Sequence, residues 1–133
     1  MTAHLEDARL TRLIAQGTGE ILKGVRNVGA LRGRSLGDAG DDLAQNWIAR
    51  VLEQHRPDDG FLSEEMADNP SRLEKDRVWI VDPLDGTKEF ATGRQDWAVH
   101  VGRQDAALNG PFRLVGTVAD ARKHRAQWFC FGT

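Results

Sequence analysis

The sequence predicts an α+β fold in which two N-terminal helices pack on an antiparallel sheet. Residues 5–54 carry two apolar stripes with the three- and four-residue spacing of α-helices. From Phe61 onwards the apolar residues instead form short runs that are rich in β-branched and aromatic side chains. Helices followed by several strands, without an internal repeat, are typical of a layered α+β domain.

Composition and charge limit the classes of function that the chain can have. The 133 residues are enough for one domain with a hydrophobic core, and 29% charged and 40% hydrophobic residues are ordinary for a globular protein. A formal net charge of -2 argues against nucleic acid or a membrane surface as a partner. The single cysteine, Cys130, excludes a disulfide within the chain and fits a cytoplasmic protein. We expect neither a signal peptide nor a membrane span, because the N-terminus is charged and no apolar run is long enough.

Two helices are predicted before the first strand. The first covers about residues 5–26, and three glycines weaken it locally. Residues 27–40 contain four more glycines with basic residues between them, which predicts a mobile connection. The second helix is predicted from Asp41 to Gln54. Asp41 or Asp42 then lies in or near its first turn, where an acidic side chain suits the helix dipole.

Five short runs are predicted as strands, and the second of them is the central one. Val78-Trp79-Ile80-Val81 is apolar throughout, which indicates a strand buried on both faces. His100 alternates with apolar neighbours in the third run, and we predict a core or surface histidine there rather than a ligand. Residues 66–76 are predicted as a loop and residues 109–111 as a turn. The predicted strands are residues 61–63, 78–81, 97–102, 112–119 and 127–131.

Three pairs of acidic residues lie at or just beyond the ends of predicted helices and strands. The pairs are Asp41 with Asp42, Glu64 with Glu65, and Asp82 with Asp85. Carboxylates that crowd together repel one another unless a cation lies among them. Two carboxylates at the end of a buried strand, followed by a glycine that lets the backbone approach closely, suit a hard divalent cation.

The residues that follow Asp85 predict a phosphate-binding turn. The backbone N–H groups of Gly86 and Thr87, followed by a short helical turn at residues 88–90, would surround phosphate oxygens. The Thr87 hydroxyl is placed to orient an attacking water molecule. Adjacent Mg²⁺ ions would activate that water and stabilise the leaving oxygen of a phosphate ester. The pattern therefore predicts hydrolysis of a small phosphate ester.

This combination resembles the metal motif of a known enzyme family. Asp82-Pro83-Leu84-Asp85-Gly86-Thr87, with Glu64-Glu65 upstream, resembles the inositol monophosphatase superfamily of Mg²⁺-dependent, lithium-sensitive phosphatases. The flanking Leu62-Ser63 and Lys88-Glu89-Phe90 are most similar to its CysQ-type branch. Those enzymes are 3′(2′),5′-bisphosphate nucleotidases, which remove the 3′-phosphate of 3′-phosphoadenosine 5′-phosphate in sulfur assimilation. The resemblance covers about residues 5–118 and implies part of a layered α/β/α/β/α sandwich, often assembled as a homodimer.

The resemblance also implies which residues hold the Mg²⁺ ions. Glu64, Asp82 and the Leu84 carbonyl would bind the first ion. Asp82 would bridge to a second ion, which Asp85 also binds. Glu64 counts among the implied catalytic residues as well.

Further residues are implied to act on the water and the phosphate. Asp41 corresponds to the acid that works with Thr87 on the nucleophilic water, and Asp42 is the competing choice. Gly86 and Thr87 would contact the phosphate, close to Asp85. The implied reaction needs no covalent intermediate.

The chain departs from the family in two respects. Family members are about twice as long, and their later half supplies a further metal-binding Asp in a Trp-Asp motif that does not occur here. The residues from Asp120 to Thr133 also lack the family's pattern, and residues 122–125 form a basic run. We therefore expect residues 1–133 to be the N-terminal, metal-binding portion of such a domain, with the C-terminal half absent.

Two alternatives remain open. Most residues that determine the substrate lie in the family's later half, so only Lys88-Glu89-Phe90 favours the nucleotidase over an inositol-1-phosphate or fructose-1,6-bisphosphate phosphatase. An alternative of another class is a truncated, catalytically inactive fragment that still binds metal. The absent second-half Asp motivates that alternative.

Overall fold

The fold consists of helices packed on a small mixed sheet. The computed structural model describes residues 6–63, 75–105, 113–120 and 125–131. In chain order its elements are α1 (Asp7–Val28), α2 (Gly33–His55), β1 (Gly60–Ser63), β2 (Arg77–Asp85), α3 (Thr87–Ala91), β3 (Ala98–Asp105), β4 (Arg113–Asp120) and β5 (Arg125–Phe131). This order confirms the α+β class. None of the helices within these ranges has the length and apolar character needed to cross a bilayer.

Helix α1 forms where its apolar stripe predicts it. Leu10, Ile14 and Leu22 are fully buried and recur at the spacing that brings one helical face onto the core. The helix ends at Gly29, whose φ of 76° is left-handed and whose N–H bonds to the Arg26 carbonyl. At Gly17 a β-carbon would collide with the Trp47 ring, so a glycine is what allows α1 and α2 to approach here.

Helix α2 begins at Gly33 rather than at Asp41, and the predicted mobile connection is wrong for residues 33–40. Each interior glycine costs a helix about 1 kcal/mol relative to alanine, which is why the sequence indicated a break. Packing outweighs that cost. A β-carbon at Gly37 would lie 2.9 Å from Thr87 Cγ2, and one at Gly40 would lie 3.0 Å from the Phe90 ring. Asp41 therefore lies inside α2, and its predicted interaction with the helix N-terminus is wrong.

The five strands form one sheet in the order β1-β2-β3-β4-β5. The pairs from β2 to β5 are antiparallel, as predicted, whereas β1 is parallel to β2. Residues 64–76 separate these two strands in sequence, and a parallel pair requires a connection of about a dozen residues or more. The prediction of a wholly antiparallel sheet is therefore wrong at β1.

The core lies between the helices and one face of the sheet. Trp79 and Trp97 are buried there, as predicted, together with Phe90 and residues of α1 and α2. Trp79 is fully buried, and its indole N–H donates to Asp59 Oδ2 at 2.9 Å. A buried indole usually requires such a polar partner. The predicted turn at 109–111 and most of the predicted loop at 66–76 lie outside the described residues.

Candidate active site

The last residues of β2 bring two carboxylates to one face of the sheet. Asp82 lies directly opposite His100 and Asp85 opposite Ala98, so three steps along β2 match two steps along β3. The extra residue in β2 forms a β-bulge. In a regular strand, residues three apart point to opposite faces, whereas the bulge returns Asp85 to the face of Asp82 and His100. Strand β2 thus extends past its predicted end, and both carboxylates belong to it.

This face is turned away from α1 and α2. Val81 and Val101 belong to the core beneath the helices, and Asp82 and His100 are their neighbours along the two strands. Because successive side chains of a strand point to opposite faces, Asp82 and His100 lie on the other side of the sheet. The Asp85 side chain is 61% exposed, and the His100 side chain is 43% exposed. Within the described part of the chain, the Asp85 carboxylate is therefore solvent-exposed, and Asp82 is half-buried on the same face.

Asp85 and His100 form a hydrogen-bonded pair across β2 and β3. Nε2 of His100 lies 2.9 Å from Oδ2 of Asp85. An ionised carboxylate only accepts hydrogen bonds, so the ring hydrogen of this pair is on Nε2. The sequence did not indicate this contact, because it depends on the bulge that turns Asp85 towards His100.

A sharp turn follows Asp85 and places the Thr87 hydroxyl beside a backbone carbonyl. Gly86 has a φ of 90°, and a β-carbon there would lie 3.1 Å from the Asp96 carbonyl oxygen. Only glycine meets both conditions without strain. The turn starts α3, which confirms the predicted helical turn at residues 88–90. Thr87 Oγ1 donates to the Leu84 carbonyl oxygen at 3.3 Å. The implied ligand at residue 84 and the implied water-orienting hydroxyl are thus neighbours.

Helix α2 brings Asp41, rather than Asp42, to the side of α3. Gly37 packs directly on the Thr87 methyl group, and Asp41 lies one helical turn further along the same face. Asp41 is half-buried with its Oδ1 shielded from solvent, whereas Asp42 is exposed. This placement favours Asp41 as the acid that accompanies Thr87.

The remaining implied ligand, Glu64, lies outside the residues that the structure describes. The residue before it, Ser63, pairs with Val81, which is the residue before Asp82. In the described ranges, no group of three or more His, Cys, Asp or Glu side chains is arranged to hold a metal ion. The donors that are described at this site are the carboxylates of Asp82 and Asp85 and the Leu84 carbonyl. Such an all-oxygen set fits a hard cation such as Mg²⁺.

Arg26, in the last turn of α1, contacts the segment that follows α3. Its Nη1 donates to the Arg94 carbonyl at 2.7 Å, and its guanidinium lies over the rings of Phe90 and Trp97, 5.3 and 5.6 Å from their centroids. The two rings meet edge to face with their centroids 5.3 Å apart. Next to them, the hydrogen bond and charge of Asp96 raise the pKa of Arg94. These contacts hold α3, and with it Thr87, against the core.

Comparison with known proteins identifies the family and the relatives that this chain resembles. The sequence pattern of the inositol monophosphatase family matches residues 10–119. The chain is 46% identical over 123 residues to a 3′-phosphoadenosine 5′-phosphate phosphatase of Mycobacterium leprae, covering 91% of this chain and 43% of that protein. It is 49% identical over 94 residues to a protein of the same name from Mycobacterium bovis, covering 69% of this chain and 35% of that protein.

A solved structure shows the same fold. The extragenic suppressor protein suhB from Bartonella henselae superimposes with a TM-score of 0.75 at 22% identity, over 98% of this chain and 50% of that one. The chain thus spans about half or less of the length of the proteins that it matches. The match to the family pattern covers most of the chain, including β2 and its bulge. This chain belongs to the inositol monophosphatase family.

Proposed function

We propose that the chain is the metal- and phosphate-binding portion of a Mg²⁺-dependent phosphatase that removes the 3′-phosphate of 3′-phosphoadenosine 5′-phosphate. The observation that carries the proposal is the bulge in β2, which sets Asp82 and Asp85 on one accessible face directly before the Gly86 turn. Two carboxylates left accessible next to a turn of backbone N–H groups suit a cation and a phosphate together. The names of the two mycobacterial relatives support the choice of substrate.

The residues proposed to hold Mg²⁺ are Glu64, Asp82, Asp85 and the carbonyl of Leu84. Three of the four are at the end of β2, and their oxygen donors fit the ion. When bound, Mg²⁺ supplies Lewis-acid stabilisation of the charge that develops on the phosphate oxygens and lowers the pKa of a water ligand.

The chain's own residues are proposed to orient the water and the phosphate. Thr87 Oγ1 has one hydrogen to donate, which it gives to the Leu84 carbonyl in this structure, and it retains lone pairs that accept a hydrogen bond from water. Asp41, on the α2 face that packs on Thr87, is proposed as the final acceptor of the water's proton. The threonine hydroxyl would turn its own hydrogen from the Leu84 carbonyl to Asp41 as Oγ1 takes up the proton of the water. The N–H groups of Gly86 and Thr87 are proposed to donate to the phosphate oxygens beside Asp85.

Two alternatives give distinct experimental results. Inositol 1-phosphate or fructose 1,6-bisphosphate would be the substrate if Lys88-Glu89-Phe90 does not select the nucleotide. A chain that binds metal without turnover is the second candidate, because the Trp-Asp motif of the family does not occur among these 133 residues. A homodimer and a cytoplasmic location remain proposals that rest on the family.

The experiment is phosphate release by the full 133-residue chain from 3′-phosphoadenosine 5′-phosphate, with Mg²⁺ and with or without Li⁺. Inositol 1-phosphate and fructose 1,6-bisphosphate serve as competing substrates, and Mg²⁺ binding is followed by calorimetry on the same samples. Lithium-sensitive release that favours the nucleotide is the expected result. Release that favours either sugar phosphate would overturn the substrate assignment. Mg²⁺ binding by a folded chain without any release would overturn the activity and favour the inactive metal-binding chain.

A further inference from the structure

We propose that His100 is a positioning residue, which orients the Asp85 carboxylate for Mg²⁺ by donating its Nε2 hydrogen to Oδ2. The inference rests on the proposed metal site and extends it to a residue that neither binds the ion nor touches the substrate. It is carried by the 2.9 Å contact between the two side chains and by the position of His100 directly opposite Asp82.

Asp85 needs such a partner because its surroundings constrain it weakly. It is the last residue of β2, it is followed by a glycine in a left-handed conformation, and its side chain is 61% exposed. A carboxylate in this position can populate several rotamers, and binding an ion through only one of them costs conformational entropy. A hydrogen bond to one carboxylate oxygen selects a rotamer before the ion arrives.

The imidazole is suited to that role by its own placement. His100 lies in the interior of β3, where the pairs with Asp82 on one side and Val118 on the other fix its backbone. Its Nε2 is committed to Oδ2 of Asp85, which would leave Oδ1 of that carboxylate to serve as the ligand. Hydrogen bonds from a rigid neighbour to a ligating carboxylate typically change metal affinity by about 10- to 100-fold.

The bulge is what makes this pairing available. Without the extra residue in β2, Asp85 would point to the face opposite His100. The same local irregularity thus gathers the two carboxylates and supplies one of them with a hydrogen-bond donor. That is the reason why the pair is not visible in the spacing of the sequence.

The test compares three substitutions of His100 by calorimetric titration of the full chain with Mg²⁺. His100→Leu removes the donor at similar volume. His100→Gln places an amide N–H where Nε2 was, whereas His100→Asn has its N–H at the position of Nδ1 and does not reach Asp85. We expect the Leu and Asn variants to bind Mg²⁺ about tenfold more weakly, and the Gln variant to recover most of the affinity. The Tm without metal should change little in all three.

A set of controls separates the outcomes. In an Asp85→Asn background, His100→Leu should cause no further loss of Mg²⁺ affinity, because the group that it orients is gone. Equal affinities for the Leu, Gln and parent chains would overturn the role of His100. Losses that follow a fall in metal-free Tm, without recovery in the Gln variant, would also overturn it by showing a structural role. If Asp82→Asn leaves Mg²⁺ affinity unchanged, the metal site itself has failed. Should the Leu variant not fold, the Gln and Asn pair provides the same comparison.

Discussion

Two carboxylate-centred regions of this molecule differ in how their charge is balanced. Asp7, in the first turn of α1, is surrounded by the guanidinium groups of Arg56, Arg77 and Arg103. Arg56 donates to Asp7 Oδ1 through two nitrogens, at 3.1 and 2.9 Å. At the end of β2, by contrast, Asp85 pairs with the imidazole of His100 and remains largely exposed.

The difference indicates which region is structural and which is suited to bind a cation. The side chains of Arg56 and Arg103 are only 11% and 10% exposed, so the group of Asp7 with its three arginines, here called the Asp7 cluster, balances its charge within the protein. It joins α1 to the end of α2 and to the sheet. Charges buried in this way must be compensated within the protein, whereas charges left near water can be compensated by an ion. The following predictions test this contrast, from the largest expected effect to the smallest.

Asp82→Asn should abolish detectable Mg²⁺ binding, because it removes the carboxylate proposed to bridge the two ions. Calorimetric titration measures the loss. Unchanged affinity would mean that the carboxylates at the end of β2 are not the metal site.

Thr87→Ala should spare Mg²⁺ binding and reduce any turnover of the proposed nucleotide substrate about a hundredfold or more, which is the usual effect of losing a group that moves or orients a proton. The Thr87 hydroxyl bonds to the Leu84 carbonyl at 3.3 Å, and losing this bond should lower stability by only about 0.5–1.5 kcal/mol. Parallel measurements of kcat and of Mg²⁺ affinity check the prediction. Equal kcat in both proteins would remove Thr87 from the mechanism.

Asp7→Ala should destabilise the chain by about 3 kcal/mol, because it leaves partly buried guanidinium groups without their carboxylate. Mg²⁺ affinity should stay the same. Urea unfolding measures the first effect and calorimetry the second. The matched control is Asp38→Ala, whose pair with Arg34 is at 3.9 Å with both side chains exposed, so it should cost less than about 1 kcal/mol. Similar losses for both variants would show that burial does not distinguish the Asp7 cluster.

Gly37→Ala should lower stability by about 1–3 kcal/mol and weaken turnover, because its β-carbon would meet Thr87 Cγ2 at 2.9 Å. The substitution alters no charge, so it isolates the packing of α2 on α3. Gly24→Ala in α1 is the control. A β-carbon there meets no described atom within 4 Å, and the gain in helix propensity should stabilise the chain by about 0.5–1 kcal/mol. A stabilising Gly37→Ala would contradict the close contact.

Part of this architecture was predictable from local sequence signals. The stripe of α1 and the apolar run of β2 are periodic patterns that depend only on which face of an element is buried. The helical turn at α3 was likewise predicted locally, from the residues that follow the Asp85-Gly86-Thr87 motif. The site residues drawn from this motif remain predictions, and Glu64 and Glu65 lie outside the described residues.

Other features could not be read locally, because they arise between segments that are distant in sequence. The eight residues that begin α2 hold three glycines, and only the packing of Gly37 and Gly40 on α3 makes a helix the better state. The Asp7 cluster joins residues 49, 70 and 96 positions apart, a pairing that no spacing rule indicates.

The sequence by itself determined the class of fold, the family motif and the oxygen-rich chemistry at the end of β2, since these follow from residue type and short spacing. Only the tertiary structure decided that β1 runs parallel to β2, that Gly37, one helical turn before Asp41, packs on Thr87, and that Asp85 meets His100. The contact between Asp85 and His100 exists because of the bulge. One extra residue reverses the face to which a side chain points, and its presence depends on the pairing of β2 with β3 rather than on β2 alone.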